Sequence, residues 1–220
     1  MGDTVLFEDE VNAAMSAALD NGLNVTALHN HFFFDHPKVY FMHIEGEGAV
    51  DKLAGAIRKI YDAAKQIRAA NPQPKDSFGA PPLPKKNSIS AEPLNQILRV
   101  AGEANNGMVK FTIGRPAKMH GIPIDNTMGV NAWAAFAGSD DNAVVDGDFA
   151  VTEDQLQPLL RSFLKDKINI VAIHQHMTHE EPRIMFFHYW GRGRAKDLAN
   201  AVKGGLLVGG LLKVSSPIQD

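Results

Sequence analysis

The chain contains no cysteine, which excludes disulfides, thiolate metal sites and cysteine nucleophiles together. Any metal chemistry must therefore come from histidine and carboxylate. It also lacks a basic excess. The net charge is −3 with neutral histidines, and no dense Lys/Arg run is interleaved with aromatics, so a nucleic-acid partner is not expected. Long apolar runs are missing too: the most apolar stretch, 204–214, is broken by four glycines and is too short to span a bilayer. The first ten residues are acidic where a secretory leader needs a basic start, so no export signal is read in them. What remains is ordinary for a folded protein, with 45% hydrophobic and 21% charged residues.

Against that background, self-similarity stands out. An offset of 145 residues aligns 2–58 with 147–203 without a gap, and 17 of 57 pairs are identical, against roughly 6% for unrelated chains of usual composition. The identities include Gly2-Asp3 with Gly147-Asp148, Glu8-Asp9 with Glu153-Asp154, and Pro37 with Pro182. They also include His29, His31 and His43 with His174, His176 and His188. Duplication explains this most simply.

Each copy reads as β-α-β-β-α. A short strand (3–7; 143–151) precedes Glu-Asp, which complements a helix N-terminus. An amphipathic helix follows, with Val11, Met15 and Leu19 on one face and Leu156, Leu160 and Leu164 in the matching places. Two β-rich runs come next (23–31 and 38–46; 168–176 and 183–191), then a closing helix (50–67; 195–203). The expected fold is α+β: duplicated units, antiparallel sheets with helices on one face in the ferredoxin-like manner, and a pseudo-twofold relation. Residues 1–70 form the first repeat, N-terminally incomplete beside the second; 71–90 are a Pro-rich linker; 91–220 are the second repeat with an extra N-terminal segment. That segment reads as a helix over 91–104, a strand over 108–113 and a loop over 115–126.

Eight of the nine histidines fall in the two homologous windows, and only His120 lies outside. Residues i and i+2 of a strand face the same side, so each His-x-His pair can offer two imidazoles to one ion. His43 or His188, on the next strand, completes a three-histidine site if the register has the right parity. The expected metal ligands are His29, His31, His43, His174, His176 and His188. The expected ion is divalent, zinc by preference, with Cu, Ni and Fe also suited to imidazole. In the adjoining loops Asp35 and His36 align with Glu180 and Glu181, and Glu180 and Glu181 are the expected catalytic bases. A metal-dependent hydrolase or hydratase acting on a small molecule, a non-catalytic carrier, and a small-anion pocket using Arg192 and Arg194 all fit this pattern.

The runs Val25-Thr26-Ala27-Leu28-His29-Asn30-His31 and Glu181-Pro182-Arg183-Ile184-Met185-Phe186-Phe187-His188-Tyr189-Trp190-Gly191 resemble signatures of the bacterial LppY/LpqO lipoprotein family. The resemblance implies a duplicated, often exported protein, and no reaction. His174-x-His176 with Glu180 is also similar to the first cupin motif, although the amphipathic helices speak against a cupin barrel. Carbonic anhydrases use a comparable ligand set, which is an analogy of ligands alone.

Overall fold

A computed structural model describes residues 1–77 and 79–212. The first copy comprises β1 (Gly2–Phe7), α1 (Val11–Asp20), β2 (Asn24–His29), β3 (Val39–Glu45) and α2 (Val50–Ala70). The segment before the second copy holds α3 (Ala91–Leu98), β4 (Glu103–Asn105), β5 (Met108–Gly114), β6 (Ala117–Met119), β7 (Ile122–Ile124) and β8 (Asn131–Gly138). The second copy is β9 (Ala143–Thr152), α4 (Glu153–Lys165), β10 (Asn169–His174), β11 (Glu180–Glu181), β12 (Ile184–Gly193) and α5 (Ala195–Val208). The β-α-β-β-α order thus appears twice, with the two-residue β11 added in the second loop.

Strands of both copies join one antiparallel sheet in the order β1-β3-β2-β10-β12-β9-β8-β5-β4. Within each copy the third strand lies between the other two, so the helical crossover spans a strand. The copies meet at β2 and β10, where Leu28 pairs with Ile173, the residue 145 positions on. Each of these strands carries a bulge, at Val25/Ala27 and at Ile170/Ala172. The backbone groups freed there are taken up across the seam. Gln157 of α4 accepts from the Val25 N–H at 2.9 Å and donates to the Val25 carbonyl at 2.9 Å. In return Asn12 of α1 accepts from the Ile170 N–H at 3.3 Å. Asn12 and Gln157 are also 145 apart.

One face of the sheet carries the main core. Leu6, Met42, Ile44, Val25, Leu28, Ile173, Phe149, Phe187 and Tyr189 pack there with buried residues of all five helices. Helix starts are specified locally. Thr152 and Gln155 form a capping box at α4, and Glu10 accepts from the Phe7 N–H at 2.8 Å before α1. A smaller apolar cluster occupies the opposite face, where Ala117, Ile124 and Val130 cover Ala150, Ile184 and Phe186.

Several expected boundaries differ. The helix expected over 91–104 ends at Leu98: Arg99 turns left-handed (φ 57°), Asn95 accepts from the Gly102 N–H at 2.9 Å, and Gly102 sits against Val109 and Phe111. The loop expected over 115–126 contains β6 and β7, which pair with each other and with β11 as a second, three-stranded sheet. The strands expected to end at His31 and His176 end at His29 and His174. The Pro-rich segment is strapped down: Asp9 accepts from the Lys75 N–H at 3.2 Å, Asn142 donates to the Pro82 carbonyl at 2.9 Å, and Ser88 donates to Gly138 at 2.7 Å. Part of the apolar stretch 204–214 lies outside the described residues. Among the described residues, no helix is long and apolar enough to cross a membrane.

Candidate metal centre

The register answers the parity question in both copies. His188 lies opposite Ala172 and His174 opposite Phe186, which puts the two histidines diagonally on the face away from the helices. His43 opposite Ala27 and His29 opposite Phe41 repeat this. His31 and His176, just past their strand ends, are held by stacking on Phe41 and Phe186, each at 3.6 Å between ring centres. That aromatic pair is identical in the two copies.

The copies differ in what the imidazoles do. In the second, one ring nitrogen each from His174, His176 and His188 lies within 4.8 Å of the others. Among the described residues this is the only cluster of three or more histidines or carboxylates able to hold a metal ion. The His176 pKa is lowered by partial desolvation and by its neighbours His174 and His188, which favours the neutral imidazole that a metal requires. In the first copy His29 Nε2 and His43 Nε2 lie 2.9 Å apart and engage each other, while His31 stacks on His29 at 5.0 Å.

Two aspartates complete the second site, and the histidine pattern did not single them out. Asp148 pairs with His188 on one side and Trp133 on the other, is 5% exposed, and has an Oδ1 with no hydrogen-bond partner among the described residues. Burial pushes its carboxyl up to about 6, opposed by the charge of His174. Asp146, one turn of the pleat away, is raised by burial and lowered by His188. The signal was present in the sequence, because Asp148 is one of the identities, matched by Asp3, which pairs with His43. Carboxylates so placed can orient an imidazole or hold a proton.

The loop carboxylates sit differently. Glu180 is buried, accepts from the Ile184 N–H at 3.1 Å through Oε1, and leaves Oε2 without a hydrogen-bond partner among the described residues. Asp35 does the same for the Val39 N–H at 2.9 Å. Glu181 is exposed and stands opposite Lys118 in the β11–β6 register of the small sheet. The arginines considered for an anion site are engaged: Arg192 donates to the Pro81 carbonyl at 2.6 Å and to Asn142 at 2.9 Å, and Arg194 pairs with Asp197 at 2.9 Å. Beside the triad, a cavity of about 620 Å³ is lined by His188, Asp146 and Trp190 together with residues of the first copy.

Fold and site together define a mixed α/β protein with antiparallel sheets and a histidine cluster able to bind a metal ion. The chain belongs to the family described as Domain of Unknown Function (DUF1259), whose model matches residues 1–63 and 92–207. The first matched region falls on the first copy, the second covers the second copy with the segment before it, and the Pro-rich segment 71–90 is omitted entirely. Comparison with curated proteins and with solved structures gives no match.

Proposed function

We propose that this is a divalent-metal protein with its principal site at His174, His176 and His188 and a weaker, related site at His29, His31 and His43. The observation that carries the reading is the convergence of three ring nitrogens in the second copy. Three neutral imidazoles leave a tetrahedral ion one position for a substrate, the pattern of catalytic rather than structural zinc. Zinc is the preferred ion, and Cu, Ni and Fe suit the same ligands. The self-pairing of Leu28 with Ile173 and the reciprocal Asn12 and Gln157 bonds support a pseudo-twofold relation between two ferredoxin-like units. The sequence signatures support placing the chain with the LppY/LpqO-like members of its family.

The adjoining cavity favours catalysis over storage, because a carrier needs no room for a second molecule. We assign metal-assisted hydrolysis or hydration, in which the ion would supply Lewis acidity. Glu180 and Glu181 are the proposed bases. Of the two, Glu180 is the one whose Oε2 is buried and without a hydrogen-bond partner among the described residues. Asp148 orients the histidines.

The test is elemental analysis of protein purified without a histidine tag, combined with anomalous scattering at the zinc edge. One tightly held equivalent with an anomalous peak at the second triad is expected. Equally low metal in wild type and in His174→Ala/His176→Ala would sink the reading.

A further inference from the structure

The cavity beside His188 opens where the end of β1 and the start of α1 face the start of β10 and the end of β12, so both copies build it. Its charge is one-sided. Glu8, Asp76 and Asp146 line it against the single ammonium of Lys75, while the charge of Asp9, also in the wall, is matched by Arg68. Asp9 Oδ2 is taken by Arg68 and by the Lys75 N–H, and its Oδ1, closed to solvent, has no hydrogen-bond partner among the described residues. The remaining wall is aromatic and apolar, with Trp190, Tyr40, Val11 and Ile170.

We infer that this cavity binds a small primary amine with an apolar body, with its ammonium among the carboxylates and its body along Trp190 and Ile170. Several carboxylates around a partly enclosed space concentrate cations and repel anions. An ammonium leaving water there keeps charged acceptors, and an aromatic wall adds attraction for it. The volume lies within the range of small-molecule sites. Because His188 belongs to both the wall and the triad, the inference deepens the metal reading by naming the cationic end of the substrate, whose hydrolysable or hydratable group would be a separate part of the molecule turned toward the triad. It rests on that reading only for the chemistry and not for the binding.

Calorimetric titration of the whole chain with three matched probes tests it: phenethylamine, 2-phenylethanol and 3-phenylpropanoate. Phenethylamine is expected to bind at least about tenfold more tightly than either of the others. Its affinity should fall by about tenfold or more in Glu8→Gln/Asp146→Asn, and it should weaken with added salt. Equal affinity for the alcohol or the acid, or no saturation by the amine up to about 10 mM, would overturn the inference. The comparison among probes on the wild-type chain decides this even if the double variant folds poorly. The same titration on His174→Ala/His176→Ala separates the two readings. Retained amine binding with lost zinc leaves the cavity assignment standing, and zinc binding without amine binding removes this inference alone.

Discussion

The two copies share a strand scaffold and a histidine pattern, yet their surroundings differ. In the second, β8 flanks β9 and buries Asp148, and the three-stranded sheet covers Ile184 and Phe186. Met177, directly after His176, packs into that covered cluster. In the first, β1 is an edge of the large sheet, and the equivalent Asp3 is exposed. The residue after His31 is Phe32, 58% exposed, followed by Phe33 and Phe34 at 93% and 102%. Identical ligands therefore meet different supports. The triad converges where the neighbouring backbone is anchored, which is the usual requirement for a precise site.

The sharpest way to break this comparison is to remove ligands from each copy in turn. His174→Ala/His176→Ala should weaken the tightest zinc equivalent by roughly three orders of magnitude, about 4 kcal/mol. His29→Ala/His31→Ala should leave that equivalent within about threefold. Competition titration with a chromogenic chelator reads both, and equal losses would show that the copies are equivalent.

The next effect concerns pH. The Asp148 carboxyl rises from 3.8 to about 6 on folding, so the folded chain holds an extra proton between those values. The Asp148 contribution to the stability of the metal-free protein is full below about pH 4, falls as pH rises through the window, and above pH 6 is lower by on the order of 3 kcal/mol. Asp148→Asn should flatten that slope in urea melts, leaving the smaller part that Asp146, also raised by burial, contributes. Asp3→Asn, at an exposed position, should change stability by no more than about 0.5 kcal/mol.

Packing gives a third contrast. A Cβ at Gly147 would lie 2.2 Å from the Tyr189 ring and 2.4 Å from the Trp133 carbonyl, whereas at Gly2 the nearest atom is a flexible Ile44 carbon at 3.3 Å. Gly147→Ala should cost about 2–3 kcal/mol and Gly2→Ala under about 1 kcal/mol. Smallest is the loss of the anchor: Met177→Ala should weaken zinc binding about tenfold, or about 1.4 kcal/mol, with little change in melting temperature. An unchanged affinity would show that the covering sheet does not steady His176.

Much of this was legible before any coordinates. The repeat offset, the element order and the clustered histidines follow from identity, periodicity and spacing. The fusion of both copies into one sheet was not legible, because it depends on a single Leu28–Ile173 bridge and on bulges that side-chain pattern does not encode. Nor was the β6–β7 hairpin: its strands are three residues each and include Pro123, so no alternation is long enough to read. Asp148 was passed over because a lone carboxylate next to glycine carries no motif. Its burial comes from Trp133 and β8, residues brought in from outside the repeat.

The exchange between Asn12 and Gln157 has a historical consequence. Each copy contains both a helix amide and a strand bulge to receive one, so a chain half as long would present to its twin the amide-to-bulge bonds of the seam. An ancestor with a single unit could have assembled as a pair through these same bonds, and joining the two genes would then have freed one half to specialise.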